Sequence, residues 1–77
     1  MFAVQMKAEQ NIYKTFGNNV RKLREERGWT QTDLAFETDM EPSYISKIEL
    51  GKTNPSLKKI DVLAKAFQIS VSDLLKQ

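Results

Sequence analysis

The stretch TQTDLAFETDMEPSYISKIELG, residues 30–51, predicts two short helices joined by a tight turn. Thr30 and Asp33, three residues apart, fit a capping box, in which each side chain accepts a hydrogen bond from the other residue's backbone amide. Trp29 and Leu34 occupy the two positions of a hydrophobic staple around the same helix start. Two independent local signals therefore predict where the first helix of this pair begins.

The rest of this stretch predicts the turn and the second helix. The first helix is expected to end near Thr38, and Asp39 follows where a tight turn needs left-handed backbone, which Asp tolerates better than most residues. Pro42 suits the first turn of a helix, because its missing amide hydrogen is not needed there. The second helix is expected to cover about residues 42–50 and to stop at Gly51.

Outside this pair, the spacing of apolar residues predicts three more helices. In residues 12–27 apolar side chains recur every three or four positions, and Gly28 follows as a left-handed cap. Ser56 is expected to cap a fourth helix whose apolar stripe faces the core and consists of Leu57, Ile60, Leu63, Ala64 and Phe67. Ser70 and Asp73 repeat the capping-box pattern before a short last helix. The predicted fold class is therefore all-α, with five helices.

Length and composition indicate one small globular domain. The 77 residues include 40% apolar and 29% charged side chains with three Gly and two Pro, and they leave no room for a separate catalytic or effector domain. No repeat or linker divides the chain, so we expect an extension of residues 1–10, partly helical, and one domain over residues 11–77. We find no export signal and no apolar run of the roughly 20 residues that span a bilayer, so we expect a cytoplasmic protein with no membrane role.

Charge alone does not identify a partner, because the net charge is only +2. Residues 11–28 carry five basic and two acidic side chains, residues 29–50 carry one and five, and residues 51–77 carry five and two. Electrostatic affinity for nucleic acid comes mainly from Lys and Arg that neutralise phosphates. An acidic centre between basic flanks does not follow that pattern, so any prediction of a nucleic-acid partner must rest on a motif.

The sequence contains no cysteine and no histidine. Without cysteine it has no disulfides and no thiolate metal ligands. Without histidine it lacks both the commonest metal ligand and the side chain that usually changes charge near neutral pH. Only Ser, Asp and Glu remain of the usual nucleophiles and bases. We expect neither an enzyme nor a cofactor or metal.

The run TQTDLAFETDMEPSYISKIELGKTNPSLKKIDVLAKAFQISVSDLL resembles the helix-turn-helix family of phage Cro and repressor proteins, the Xre family. That family includes restriction-modification controllers and antitoxin-type regulators, and the similarity covers about residues 14–75. The resemblance implies a compact, lambda-repressor-like bundle of five helices that binds double-stranded DNA through its second and third helices, usually as a homodimer. The residues that carry it are Thr30, Gln31, Leu34, Ala35, Ser43, Tyr44, Ile45, Ser46, Lys47, Ile48, Glu49 and Gly51.

The resemblance also implies which residues contact DNA. The phosphate contacts fall on Gln31, Tyr44, Lys52, Thr53 and Asn54, and base reading falls on Glu41, Pro42, Ser43 and Lys47, with Ser46 nearby. A lysine can donate to guanine O6 or N7, and a serine can pair with several bases. Taken singly, most of these residues would ordinarily be solvated, but together they fall on one surface.

Two further predictions concern structure. The resemblance implies a partly buried ion pair between Arg24 and Glu49, whereas the other charged residues of the segment 21–27 are expected on a solvated helix face. Three apolar residues near the end exceed what a short last helix needs for its own core. These residues are Val71, Leu74 and Leu75. Some of them are expected to form the contact between the two subunits of a dimer, here called the dimer seam, unless all are buried within the monomer.

The resulting hypothesis is a sequence-specific DNA-binding regulator, a repressor by default, that binds a palindromic operator as a homodimer. Asp39 stands where the family most often has glycine and Glu41 where it has Ser or Thr, so both add negative charge near phosphates. We therefore expect selective binding of DNA, with only a modest electrostatic contribution to the affinity. The alternative is an antitoxin-type or other protein-interaction module in which DNA binding is secondary, which the acidic centre favours.

Overall fold

The computed structural model describes residues 12–76, and within that range the chain forms five α-helices. They are α1 (Ile12–Glu26), α2 (Gln31–Thr38), α3 (Pro42–Glu49), α4 (Leu57–Phe67) and α5 (Val71–Leu74). The all-α prediction is confirmed. The predicted extension, residues 1–10, lies outside the described residues. None of the helices in the described range is long and apolar enough to cross a membrane.

Side-chain caps define the start of α2 as the sequence predicts. The Thr30 hydroxyl accepts a hydrogen bond from the Asp33 amide at 3.0 Å, and the Asp33 carboxylate accepts one from the Thr30 amide at 2.8 Å. The second predicted box is only half formed. Ser70 accepts from the amide of Asp73, but the Asp73 carboxylate lies 3.4 Å from the ammonium of Lys76 instead.

The turn between α2 and α3 depends on one left-handed residue. Asp39 has φ 56° and ψ 40°, and its amide faces the carbonyl oxygens of Ala35 and Phe36. Glu41 then precedes α3 with extended backbone, and its side chain makes no capping hydrogen bond. The turn prediction for Asp39 is confirmed, and Glu41 remains exposed beside the first turn of α3.

One core joins all five helices. Its fully buried side chains include Leu34 from α2, Ile45 and Ile48 from α3, and Leu63 and Phe67 from α4. The other buried apolar residues are Phe16, Val20, Ala35, Ala64 and Leu74. Leu74 was predicted to take part in a dimer seam, and that prediction is wrong because its side chain is fully buried inside the monomer.

Two polar residues hold the C-terminal helices, Asn19 of α1 and Arg27 just after it, and neither role was predicted. Arg27 donates to the carbonyl oxygen of Phe67, and its guanidinium lies 5.0 Å from the centre of the Phe67 ring. Asn19 donates from its side-chain amide to the carbonyl oxygens of Leu74, at 3.0 Å, and Lys76, at 2.6 Å. Arg27 is exposed, as expected for residues 21–27, but its guanidinium also contacts Phe67.

α1 and α3 approach so closely that only glycine fits between them. A Cβ atom added to Gly17 would lie 2.2 Å from the carbonyl oxygen of Ile48 and 2.8 Å from that of Glu49. Both obstacles are backbone atoms, which cannot move aside as a flexible side chain can. Gly17 therefore sets the distance at which α3 lies against α1.

Replacing Gly17 with alanine is expected to lower the free energy of unfolding by about 1 to 3 kcal/mol, because the added methyl group forces the helices apart. Alanine is intrinsically the better helix former by about 1 kcal/mol, so the loss must come from packing. Urea denaturation followed by circular dichroism measures the change. The control is Asn18→Ala, at the exposed neighbouring position, and a Gly17→Ala protein as stable as this control would contradict the packing argument.

Candidate nucleic-acid interface

The exposed face of α3 carries a continuous set of polar residues. Ser43 and Lys47 lie one helical turn apart and both are exposed, as is Pro42 at the start of the helix. Ser46 is half-buried at the edge of this face, and Glu41 is exposed just before it. Four of the five residues predicted to read bases therefore lie on or at the edge of the outer face of α3, and the fifth, Glu41, immediately precedes the helix.

A buried ion pair fixes α3 to α1. Arg24 donates from Nε to Glu49 Oε2 at 2.7 Å and from Nη2 to Glu49 Oε1 at 3.1 Å. Only 12% of the Arg24 side chain and 4% of the Glu49 side chain are exposed. The hydrogen bonds with Glu49 raise the pKa of Arg24 above its ordinary value, against the opposing effect of burial. Arg24 therefore stays charged throughout the physiological pH range.

The same pair also fixes the head of α2. The third guanidinium nitrogen of Arg24, Nη1, donates to the carbonyl oxygen of Trp29 at 2.6 Å. Gln31, the first residue of α2, donates from its side-chain amide to Glu49 Oε1 at 3.1 Å. We call Arg24, Glu49 and Gln31 the clamp. It joins α1, α2 and α3 through side-chain hydrogen bonds.

The residues predicted to contact phosphates lie around α3 rather than in one patch. Gln31 is held by the clamp on one side of α3, while half-buried Tyr44 lies on the other, with the Lys59 ammonium 5.0 Å from its ring centre. Lys52 and Asn54 are exposed in the loop after α3, and Thr53 is half-buried. The structure thus adds Lys59, which sequence reasoning missed because it comes from α4.

The two apolar residues left for a dimer seam lie near α4. Val71 lines a shallow groove with Leu57 of α4, which was predicted to be a core residue; that prediction is wrong, because Leu57 is 73% exposed. Leu75, 43% exposed, lines a second groove that includes Asn54 and Ile60. Leu57 was misassigned because an exposed residue at the start of an apolar helix stripe is indistinguishable in sequence from a core residue.

Two short helices joined by a left-handed turn, with the second presenting a polar face, define a helix-turn-helix DNA-binding domain. The family described as helix-turn-helix matches residues 20–74 of this chain. The chain belongs to that family. Its relatives include transcriptional regulators, repressors and controller proteins.

Among the relatives, control protein C.BamHI of Bacillus amyloliquefaciens is 42% identical over 66 residues, which are 84% of this chain and 82% of that protein. The solved restriction-modification controller protein C.AhdI of Aeromonas hydrophila has a TM-score of 0.78 and 37% identity, over 80% of this chain and 94% of that one. The controller protein C.Esp1396I was solved as a tetramer in complex with its natural 35 base-pair operator. It has a TM-score of 0.74 and 28% identity, over 82% of this chain and 83% of that one.

Some relatives are longer than this chain. A transcriptional regulator of Deinococcus deserti and a phage immunity repressor are matched over 44% and 42% of their lengths. The common part in these cases is the helix-turn-helix domain.

Replacing one member of the buried pair, as in Arg24→Met or Glu49→Met, is expected to lower the free energy of unfolding by about 3 to 5 kcal/mol, because the remaining charge is buried without its partner. Replacing both should recover much of that loss, because no charge is then stranded. Urea denaturation of the four proteins gives the coupling energy.

The surface pair of half-buried Asp61 and exposed Lys65, 3.0 Å apart, is the control for this cycle. Its alanine variants should couple by only about 0.3 to 0.5 kcal/mol, as is usual for neighbouring charges on an exposed helix face. A coupling between Arg24 and Glu49 no larger than this would contradict the role given to the buried pair.

Proposed function

We propose that this chain is a sequence-specific regulator of transcription that binds double-stranded DNA as a homodimer and represses by occupying a promoter. The observation that carries the proposal is the exposed polar face of α3 on a helix whose position is fixed by the clamp. A helix with its side chains is about 10–12 Å wide, and the major groove of B-DNA is about 12 Å wide. α3 is therefore suited to enter that groove.

Base reading falls to the residues that project from this face. Lys47 can donate to guanine O6 or N7, Ser43 can pair with several bases, and Glu41 can accept from cytosine N4. A carboxylate in the groove also disfavours bases that present only acceptors at that position. We infer that Glu41 contributes selectivity at a cost in overall affinity.

The phosphate contacts are proposed for the residues on both sides of α3. Gln31 has a second amide hydrogen beyond the one it gives to Glu49, and Lys52 with Thr53 and Asn54 follows the end of α3. Such contacts fix the register of a protein on DNA without reading its sequence. Tyr44, held under Lys59, belongs to the same group.

A homodimer would place two copies of α3 in successive major grooves. This requires half-sites about 34–36 Å apart on one side of the duplex, and the two-fold symmetry of the dimer requires a palindromic or nearly palindromic operator. The seam proposed for the dimer consists of Val71 and Leu75 together with Leu57. A regulator of transcription acts where the DNA is, so we place the protein in the cytoplasm. We propose no catalytic activity for a chain of this regulator family.

Selection from a random DNA pool, followed by sequencing of the bound fraction, tests the proposed reading face. Ser43→Ala and Lys47→Ala are expected to change the preferred base at individual positions by about 1 to 3 kcal/mol, because each removes a direct base contact. Lys52→Ala is the matched control, since a lost phosphate contact should weaken binding to all sequences evenly. If the Ser43 and Lys47 variants select the same site as the unaltered protein, these residues do not read bases.

The proposed seam is tested by sedimentation equilibrium. Leu75→Glu and Leu57→Glu should shift the protein from dimer to monomer, because each places a charge in an apolar contact. The control is Phe36→Glu, on the exposed face of α2, where the side chain is 84% exposed. An unchanged dimer in both leucine variants, or a monomeric unaltered protein, would remove the seam from the proposal.

The second candidate function is a protein-interaction module in which DNA binding is secondary. The observation that favours it is Phe36, a highly exposed aromatic side chain on the same exposed face of α2 as Asp33. A stable complex with the product of an adjacent gene, lost in Phe36→Ser, would favour this alternative. A complex that survives the substitution would not involve this face.

A further inference from the structure

We infer that Arg21 is a DNA phosphate ligand, and that it acts in a polar notch on the side of α3 opposite Tyr44. The inference rests on the proposed function, since it assigns one more contact to the same interface. The notch has a volume of about 180 Å³. Its lining residues are Arg21, Arg24, Gln31, Ser46, Glu49 and Leu50.

The position of the notch suits a strand of the DNA backbone. It opens between α1, the head of α2 and the outer edge of α3, where Ser46 borders the face that carries Ser43 and Lys47. A helix that fills the major groove has one phosphate backbone along each side. If α3 lies in the groove, one backbone passes Tyr44 and the other passes this notch.

The Glu49 carboxylate at the floor of the notch is already hydrogen-bonded, so a ligand must bind through the donors that remain. The Glu49 carboxylate accepts from Arg24 and Gln31, and all three kinds of guanidinium nitrogen of Arg24 are engaged by Glu49 and Trp29. The groups left to donate are the Ser46 hydroxyl, the second amide hydrogen of Gln31, one remaining hydrogen on each of Nη1 and Nη2 of Arg24, and the guanidinium of Arg21. These donors surround a space several times the volume of one water, about 30 Å³, and match a phosphodiester oxygen pair.

Arg21 is positioned to exchange partners. In the free protein its Nε lies 3.2 Å from Glu25 Oε2, and the two side chains are 61% and 54% exposed. An exposed pair of this kind contributes little free energy, whereas arginine and phosphate form strong bidentate hydrogen bonds. DNA binding would therefore transfer the Arg21 guanidinium from Glu25 to a phosphate, and Glu25 competes with DNA for it.

The first test measures how DNA affinity depends on salt for Arg21→Ala. The probe is a duplex that carries the site selected by the unaltered protein, and affinity is measured by fluorescence anisotropy across a series of salt concentrations. Loss of one phosphate contact should weaken binding and reduce the slope of log affinity against log salt by about 0.9 per bound subunit. The matched control is Lys22→Ala, one position further round α1, which lines a different cavity with Asn19 and Ile69.

The second test removes the competitor. Glu25→Gln is expected to tighten binding of the same duplex, because Arg21 no longer has to leave a carboxylate. The control is Glu26→Gln, which makes the same change of net charge at an exposed neighbouring position. The tightening should exceed that of the control and should disappear when Arg21→Ala is combined with Glu25→Gln.

The outcomes separate this inference from the proposed function. If the unaltered protein binds a selected duplex but Arg21→Ala keeps the slope and affinity of Lys22→Ala, Arg21 is not a phosphate ligand and the proposed function stands. If Glu25→Gln and Glu26→Gln tighten binding equally, the exchange of partners is wrong. If the unaltered protein selects no duplex, both the proposed function and this inference fail.

Discussion

The buried ion pair of Arg24 and Glu49 is the interaction on which the rest of the interface depends. Glu49 is the last residue of α3, Arg24 lies on α1, and Gln31 begins α2, so one carboxylate receives hydrogen bonds from two other helices. Burying such a pair adds little net stability, but it leaves each charge with one acceptable partner. We interpret it as a device that fixes geometry: α3 has one position relative to the head of α2.

Two backbone constraints support the same geometry. Gly17 lets α1 and α3 approach until a methyl group would collide with the carbonyl oxygens of α3, and the left-handed Asp39 sets the angle between α2 and α3. Neither constraint involves a residue proposed to contact DNA. The rigid part of the domain therefore lies behind the reading face. Ser43 and Lys47 can be replaced by other residues without disturbing the fold.

The sequence predicted the elements of this fold better than their contacts. Helix ends follow from local chemistry, so the caps at Thr30 and Ser56 and the turn at Asp39 were predictable. The packing role of Gly17 was missed, because a glycine inside a helix indicates close packing only when the partner helix is known. Arg27 and Asn19 were missed for the same reason, since their carbonyl acceptors lie 40 and 55 residues away along the chain. Leu74 was misassigned, because sequence does not separate an apolar residue of the core from one of a seam.

The central claim is that α3 enters the DNA major groove, and methylation interference on a selected duplex tests it most directly. Methylation of guanine N7 alters the major groove, whereas methylation of adenine N3 alters the minor groove. We predict that guanine N7 methylation blocks binding in two clusters about one helical turn apart, while adenine N3 methylation in the same clusters does not. Interference confined to adenine N3 would contradict the account.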